Sequence, residues 1–448
     1  MNGLGKTSIT LDAFRRLRDE FEVRRALVVA PLRTCYSVWP REQAKWDQFD
    51  DVRVQIIHGP TKDFETIHGG ADVFVTNPET LDWLCEQKWR NPPEMLVVDE
   101  STKFKRKSTQ RHRWLRKLIK RGGFDRRYIL TATPAPRNVE DLHGQLHILD
   151  GGARLGDGIG DFREKYMVPV PNGNYWTWVP RKGAIGEVGR LIRDICINLR
   201  ASDHLDLPPL VEVDVPVRLP ASAREVYDRL RKQSVLILGD RRQVADNRGV
   251  VSTMLRQLAS GAIYAQDGER FDVVHTAKAE ALTDLVEQLG GRPLLVAYNF
   301  RHEVRAIREA LRMDVPSIGG GTSAALAAKH EADWNAGRLP LLLVQPQSGA
   351  HGLNLQEGGG HLCWYSPPFD AELYWQFNAR LHRQGQTADR VMVHRLVAEN
   401  TIDGRIVDVL RDKEANQNAL FAAIDDEVGA STELFTGADY DPAEEFFA

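Results

Sequence analysis

The stretch Gly3-Leu4-Gly5-Lys6-Thr7-Ser8 sets the fold expected for the whole chain. It matches the second half of the pattern G-x-x-x-x-G-K-[ST], in which backbone N–H groups surround phosphate oxygens and the lysine reaches the β- and γ-phosphates. The threonine hydroxyl of such a loop ligates Mg²⁺. Residues 9–18 have helical composition, so the positive end of that helix would face the phosphates. We therefore predict a phosphate-binding loop; the alternative is a glycine turn that merely precedes a helix.

The first position of this pattern would fall before Met1, and the strand that usually feeds such a loop is absent. A late-assigned start, a gene fragment or impaired ATP binding would each explain this. The chemically intact motifs further along the chain favour a late start or a fragment.

Bulk composition indicates an ordinary globular protein. The chain has 448 residues, enough for two or three domains, with 42% hydrophobic and 27% charged residues. Its net charge of -3 neither indicates nor excludes a nucleic-acid partner. Four scattered cysteines without zinc or redox spacing argue against a disulfide scaffold and favour a cytoplasmic location. Because no apolar run reaches transmembrane length and no signal peptide is evident, we expect no membrane partner.

Short apolar runs alternate with helix-length polar segments. The runs at 26–30, 72–76, 95–98 and 128–131 are rich in β-branched residues and predict buried parallel strands. A second series follows at 294–297, 341–344, 362–365 and 391–397. Polar segments such as 41–50 and 108–121 predict the intervening helices. This alternation indicates doubly wound α/β sheets, whose ligands lie at the carboxyl ends of the strands.

The pattern also suggests domain limits. We expect a first α/β lobe over 1–150, an insert or linker over 151–210, a second lobe over 211–415 and an acidic tail over 416–448. The second lobe would begin with a strand at 211–217 and leading helices at 221–238 and 251–264. The tail would be a solvated disordered segment.

Two further groups carry candidate chemistry. Asp99 and Glu100 follow an apolar run, as a Walker B pair does: the first carboxylate would hold Mg²⁺, and the second would orient and deprotonate the attacking water. Arg380 and Arg383 are three residues apart, share one face if helical, and could clamp a phosphate. Taken alone, the acidic pair is common at strand ends, and the arginines could form a solvated basic face.

The ordered motifs resemble those of superfamily-two helicases, specifically the Swi/Snf-like ATPases in their compact phage or bacterial form. The resemblance covers residues 3 to about 412. In chain order, the matching segments are 3–7 (motif I), 28–31 (Ia), 99–102 (II), 130–134 (III), 294–300 (IV), 348–355 (V) and 376–386 (VI). Two small departures are Ala132 and Ala350, each standing where the family has glycine.

The resemblance implies two tandem RecA-like lobes with an irregular insert and a helical segment between them. It implies an ATP hydrolase that forms ADP and phosphate in a cleft between the lobes, moves along DNA and is stimulated by it. ATP and Mg²⁺ would be the cofactors, and DNA, expected to be double-stranded, the partner in a bacterial or phage-infected cell. RNA is the less expected partner, and a monomer is the expected oligomeric state.

The resemblance also assigns roles to residues. The residues that would bind the nucleotide are Gly3, Leu4, Gly5, Lys6, Thr7, Ser8 and Asp99. Of these, Thr7 and Asp99 would also hold Mg²⁺. Catalysis would fall to Glu100 as general base and to Arg380 and Arg383 as arginine fingers. Coupling of the nucleotide state to movement would fall to Thr131, Thr133, Gly352, Asn354 and Gln376. The alternatives are a non-hydrolysing DNA-binding or scaffold module and an RNA-directed helicase.

A basic strip and an aromatic cluster could add nucleic-acid contacts. Between residues 101 and 127 there are twelve Lys or Arg residues and one acid, Asp125. Such a strip could neutralise phosphates, although a solvated helix face is the alternative. Tyr175, Trp176 and Trp178 could stack on bases, but packing against the first lobe is expected.

Overall fold

The computed structural model describes residues 4–172, 175–199, 205–233, 235–238, 241–244, 248–265, 267–349 and 353–425. The chain divides into two units. The first comprises Gly3–Asp203 together with Lys413–Ala448, and the second comprises His204–Asp412.

A five-stranded parallel sheet forms the centre of the first unit, in the order β2-β3-β1-β4-β5. Its strands are β1 (Ala26–Val29), β2 (Val54–Ile57), β3 (Val73–Thr76), β4 (Met95–Asp99) and β5 (Arg126–Leu130). The apolar residues of β1, β3 and β4 are fully buried because alternate side chains enter cores on opposite faces of the sheet. Val28 and Val97 lie in one core, whereas Leu27 and Leu96 lie in the other.

Helices cover both faces of this sheet. They are α1 (Lys6–Asp19), α2 (Leu32–Ser37), α3 (Trp39–Lys45), α4 (Phe64–His68), α5 (Leu81–Leu84), α6 (Gln110–Lys120) and α7 (Glu140–Asp150). Leu11 and Phe14 of α1 join the first core, and Leu115 and Leu118 of α6 join the second. The apolar spacing of α1 and of α6 therefore matches the face that each of these helices buries.

The segment predicted as an insert or linker belongs largely to the first unit. It contains α8 (Ile159–Tyr166), an antiparallel hairpin of β6 (Met167–Asn172) and β7 (Tyr175–Pro180), and α9 (Ala184–Ile192). Phe162 of α8 and Val188 of α9 share a core with Leu142 and Leu146 of α7. Trp178 packs against this core as expected, but Trp176 is 65% exposed.

The second unit contains a six-stranded parallel sheet in the order β14-β15-β13-β16-β17-β8. These strands are β8 (Leu210–Val217), β13 (Leu294–Ala297), β14 (Ser317–Ile318), β15 (Leu341–Val344), β16 (His361–Trp364) and β17 (Val391–Ala398). Two antiparallel hairpins accompany the sheet, formed by β9 (Val235–Leu238) with β10 (Arg241–Val244) and by β11 (Ala262–Tyr264) with β12 (Phe271–Val273).

The helices of the second unit pack around this sheet. They are α10 (Ala221–Gln233), α11 (Arg248–Ser260), α12 (Ala277–Leu289), α13 (Arg301–Leu311), α14 (Ala324–Asn335), α15 (Pro346–Gly349), α16 (Ala371–Leu381) and the first half of α17 (Ile402–Asp425), whose residues from Lys413 onward belong to the first unit. The predicted α/β fold of two RecA-like lobes is thereby confirmed, with one parallel sheet in each unit. No helix in the described part of the chain is long and apolar enough to span a bilayer.

Four predicted elements need correction. The helix expected at 221–238 ends at Gln233, because the apolar run that follows pairs as a strand of a hairpin. The helix expected at 251–264 likewise ends at Ser260, before strand β11. β5 is partly exposed because it is the edge strand of the described sheet. Residues 416–425 are helical, and Leu420 is buried in a core of the first unit, so the predicted tail does not begin at 416; residues 426–448 lie outside the described residues.

Candidate nucleotide-binding site

The phosphate-binding loop leads directly into α1. Gly5 adopts φ 67° and ψ 28°, the left-handed conformation that glycine tolerates at no steric cost. The helix begins at the next residue, Lys6, three residues before the run 9–18 that the sequence predicts as helical. Ser8 Oγ donates a hydrogen bond to the Gly5 carbonyl at 2.9 Å, which fixes the first turn. The loop thus presents the positive end of α1, where an anion would be stabilised.

The acidic pair stands at the carboxyl end of β4. Asp99 is the last residue of the strand, and Glu100 follows with φ 53°, a left-handed conformation. For a residue other than glycine this conformation costs about 1–2 kcal/mol, so the surrounding structure must hold it. The Glu100 N–H donates to Asp99 Oδ1 at 3.1 Å. Lys6 Nζ lies 4.0 Å from Glu100 Oε1, so the loop lysine and the acidic pair converge.

Burial dominates the electrostatics of Asp99. Desolvation raises the pKa of this carboxyl to about 6, although the Lys6 ammonium and the Trp39 indole act in the opposite direction. Burial and the Asp99 charge also raise the pKa of the Cys35 thiol to about 12, so this cysteine is a neutral neighbour. A cation bound at Asp99 would therefore relieve an unfavourable buried charge.

Several buried polar atoms at this site have no hydrogen-bond partner among the described residues. They are Lys6 Nζ, Glu100 Oε2, Thr133 Oγ1 and Trp39 Nε1. Such atoms normally find partners, because an unsatisfied buried group costs about 1–3 kcal/mol. An ammonium, a hydroxyl and carboxylates are the groups that phosphate oxygens, Mg²⁺ and an attacking water require. The residues present therefore fit Mg²⁺ and ATP.

The threonines of the Leu-Thr-Ala-Thr-Pro segment follow β5. The Thr133 N–H donates to Thr131 Oγ1 at 3.1 Å, which closes a tight turn, and Thr133 is buried. Since Asp99 pairs with Leu130 across the sheet, this turn lies next to the acidic pair. Both predicted coupling threonines are thus placed beside the candidate catalytic carboxylate.

In the second unit, the predicted motifs V and VI contact each other. Arg383 Nη1 donates to Asn354 Oδ1 at 2.5 Å, and the Leu355 N–H donates to the Arg380 carbonyl at 3.2 Å. Gln376 is buried and donates to Glu372 Oε1 at 3.1 Å. The two arginines do not share a helix, because α16 ends at Leu381 and Arg383 lies in the turn that follows.

Two predicted site residues, Gly3 and Gly352, lie outside the described residues. The geometry adds one residue that the sequence did not reveal, Trp39. Its buried indole N–H approaches Asp99 closely enough to lower the pKa of that carboxyl, without meeting hydrogen-bond geometry. No sequence signal marks this contact, because Trp39 begins helix α3 whereas Asp99 ends strand β4, 60 residues further along the chain. Among the described residues, no group of three or more His, Cys, Asp or Glu has metal-binding geometry.

Comparison with known proteins gives the family. The SNF2-related domain matches residues 2–260, more than half of the chain. The chain belongs to the SNF2-related family. This SNF2-related chain is 33% identical to putative protein p41 of Acyrthosiphon pisum secondary endosymbiont phage 1, over 94% of this chain and 93% of the phage protein.

One relative is much longer than this chain. CHD3-type chromatin-remodeling factor CHR7 of Arabidopsis thaliana is 23% identical over 92% of this chain but only 34% of its own length, so the SNF2-related chain spans about a third of that relative. The Sulfolobus solfataricus SWI2/SNF2 ATPase core, solved in complex with dsDNA, is 18% identical, with a TM-score of 0.40 over 94% of this chain and 91% of its own.

Proposed function

We propose that this SNF2-related chain is an ATP-dependent DNA translocase that hydrolyses ATP to ADP and phosphate and is stimulated by DNA. The convergence of Lys6, Asp99 and Glu100 at the carboxyl edge of the first sheet carries the proposal. The unsatisfied buried atoms of Lys6, Glu100 and Thr133 support it, because a triphosphate and a water would complete their hydrogen bonding.

Within the first unit, each group has one task. The backbone amides of residues 3–8 and the Lys6 ammonium bind the phosphates, and Thr7 and Asp99 hold Mg²⁺. When bound by Thr7 and Asp99, Mg²⁺ would supply positive charge against the phosphate oxygens. Glu100 orients the attacking water and accepts its proton, and its carboxylate lies 4.0 Å from the Lys6 ammonium.

Within the second unit, we assign Arg380 and Arg383 to stabilising the charge that develops on the transferred phosphoryl group. Asn354 holds the Arg383 guanidinium at 2.5 Å, which limits the orientations available to that side chain. Together with Thr131, Thr133, Gly352 and Gln376, Asn354 would relate the state of the nucleotide to movement on DNA.

Two observations support DNA as the partner and a prokaryotic setting. A relative that matches nearly the full length of this chain is a chromatin-remodeling factor by name, and chromatin is a DNA assembly. Another is a phage protein, consistent with a role in the cytoplasm of a bacterium or a phage-infected cell. The basic strip of residues 101–127 offers cations for additional phosphate contacts.

Nucleotide binding and turnover can be separated with two variants. Glu100→Gln should bind a fluorescent ATP analogue about as well as the wild type but lose hydrolysis, because the amide cannot accept the proton of the water. Lys6→Ala should lose binding itself. If Glu100→Gln hydrolysed ATP at the wild-type rate, the proposed base would be wrong.

Movement is tested by displacement of a third strand from triplex DNA. The wild type should displace the strand only with hydrolysable ATP, and Glu100→Gln should not. A wild type that neither binds nor hydrolyses ATP would favour a non-hydrolysing DNA-binding or scaffold module instead.

A further inference from the structure

One face of α7 lies against the segment that follows Glu100. Asp141, Gly144 and Gln145 form this face, since residues three and four apart are neighbours on a helix. Asp141 is buried, with Lys105 Nζ 3.8 Å from its carboxylate. A Cβ at Gly144 would lie 2.7 Å from the Phe104 carbonyl oxygen and closer still to that of Lys105. The helix backbone therefore touches the turn Ser101–Phe104 directly.

Gln145 connects this turn to the threonine segment. Its Oε1 accepts a hydrogen bond from Ser101 Oγ at 2.7 Å, and its Nε2 donates to the Pro134 carbonyl at 2.6 Å. Ser101 immediately follows Glu100, and Pro134 immediately follows Thr133. Gln145 is 1% exposed, so these bonds form away from water, where an unmade bond is costly.

The amide group is required for this arrangement. Ser101 donates and needs an acceptor, whereas the Pro134 carbonyl needs a donor, and the glutamine carboxamide offers both in one plane. Nε2 also donates to the Asp141 carbonyl at 2.7 Å, which anchors the side chain to its own helix. A carboxylate here would face two carbonyl oxygens, and an alkyl group would leave both segments without their partner.

We propose that Gln145 is a positioning residue for ATP hydrolysis, holding Glu100 through Ser101 and the Thr131–Thr133 turn through Pro134. Glu100 depends on such support because its backbone is left-handed without being glycine. A shift of either segment is then passed to the other through α7. The role rests on the proposed function, but the connection itself exists without nucleotide.

Hydrogen exchange in the absence of nucleotide tests the connection. Gln145→Leu should speed exchange of the amides in both 101–105 and 131–135, because both hydrogen bonds are lost. Gln145→Glu should keep the bond from Ser101 but lose the one to Pro134, so it should speed exchange mainly in 131–135. The matched control is Gln43→Leu, which removes a 3.0 Å bond from a half-buried glutamine of α3 to the Phe49 carbonyl. Its effect should stay near α3.

Steady-state kinetics test the positioning role. Gln145→Leu should lower kcat for ATP about tenfold or more, with KM changed by less than about twofold, because a small misplacement of a base costs rate rather than binding. Ser101→Ala should reduce kcat less, and adding it to Gln145→Leu should have little further effect. The control Gln43→Leu should leave kcat unchanged even where it lowers the melting temperature.

The outcomes are separable. The positioning role would be overturned if Gln145→Leu left hydrogen exchange unchanged in both 101–105 and 131–135. It would also be overturned if the kcat of Gln145→Leu equalled that of Gln43→Leu. A wild type that hydrolyses no ATP would instead overturn the proposed function, and the exchange data would still decide whether Gln145 connects the two segments.

Discussion

Gly144→Ala should destabilise the first unit although alanine is the better helix former. In an exposed helix interior this substitution gains about 0.5–1 kcal/mol. At Gly144 the new methyl group would overlap the backbone carbonyls of Phe104 and Lys105, which cannot rotate away as a side chain could. Overpacking of this kind costs about 1–3 kcal/mol, and the direct overlap with backbone places it at the upper end. The net expected loss is about 2 kcal/mol.

A second glycine provides the matched control. Gly160 in α8 has no atom within 4 Å of an added Cβ, so Gly160→Ala should stabilise by about 0.5 kcal/mol. The two variants should therefore differ by about 2.5 kcal/mol, which for a unit of this size corresponds to about 5–10 °C in melting temperature. Thermal unfolding followed by tryptophan fluorescence measures the difference.

The same substitution should also affect the candidate site. Displacing α7 would strain the hydrogen bond from His112 Nε2 to the Gly144 carbonyl, 2.9 Å long, and would move Gln145 away from Ser101. Hydrogen exchange should therefore increase in residues 101–105 of Gly144→Ala but not of Gly160→Ala. A Gly144→Ala protein as stable as Gly160→Ala would refute the direct packing of α7 against the turn Ser101–Phe104.

Acid should destabilise both units, because burial lowers the pKa of His112 to about 4 and that of His302 to about 3. Below pH 6.5 the unfolded chain binds protons that the folded chain does not, so each histidine should cost about 2 kcal/mol at pH 5 relative to pH 7, although the raised pKa values of the buried carboxyls Asp99 and Glu303 offset part of this loss. Replacing His302 with glutamine should therefore reduce the loss of stability between pH 7 and pH 5 in urea titrations, and an undiminished loss would contradict this. Arg113 and Lys117 occupy exposed positions of α6. If the basic strip contacts DNA phosphates, the double variant Arg113→Glu with Lys117→Glu should weaken DNA binding and reduce its dependence on salt concentration. Binding titrations at several salt concentrations measure this, and an unchanged salt dependence would show that the strip does not contact DNA. Arg383→Ala should reduce kcat by about a thousandfold with little change in ATP affinity, as expected for an arginine that stabilises transferred charge, and a normal kcat would remove Arg383 from the mechanism.

The sequence predicted the sheets where strands are short, apolar and buried. The runs around β1, β3 and β4 were recognised because every residue enters a core, leaving no helical periodicity. β2 was missed because three of its four residues are only partly buried. The run Val235–Leu238 was assigned to a helix because its strand pairing with β10 depends on a hairpin that composition does not reveal.

At the candidate site too, residues that belong to local sequence motifs were predicted, whereas residues that depend on tertiary packing were not. Lys6, Asp99 and Glu100 were predicted from local patterns, and the structure brings them together. Gln145 was not, because its partner Ser101 is 44 residues away and the contact depends on how α7 packs. The shared helix face proposed for Arg380 and Arg383 failed because spacing alone cannot indicate where a helix ends. The candidate catalytic residues could therefore be predicted from local sequence motifs, whereas the residues that position them could be identified only from the three-dimensional structure.

The central claim is that this SNF2-related chain hydrolyses ATP in response to DNA. The most direct measurement is the rate of phosphate release at saturating Mg²⁺ and ATP, without nucleic acid, with duplex DNA and with duplex RNA. The account predicts a low basal rate, a clear increase with DNA and little or none with RNA. A rate that is unaffected by DNA, or that increases more with RNA, would contradict it.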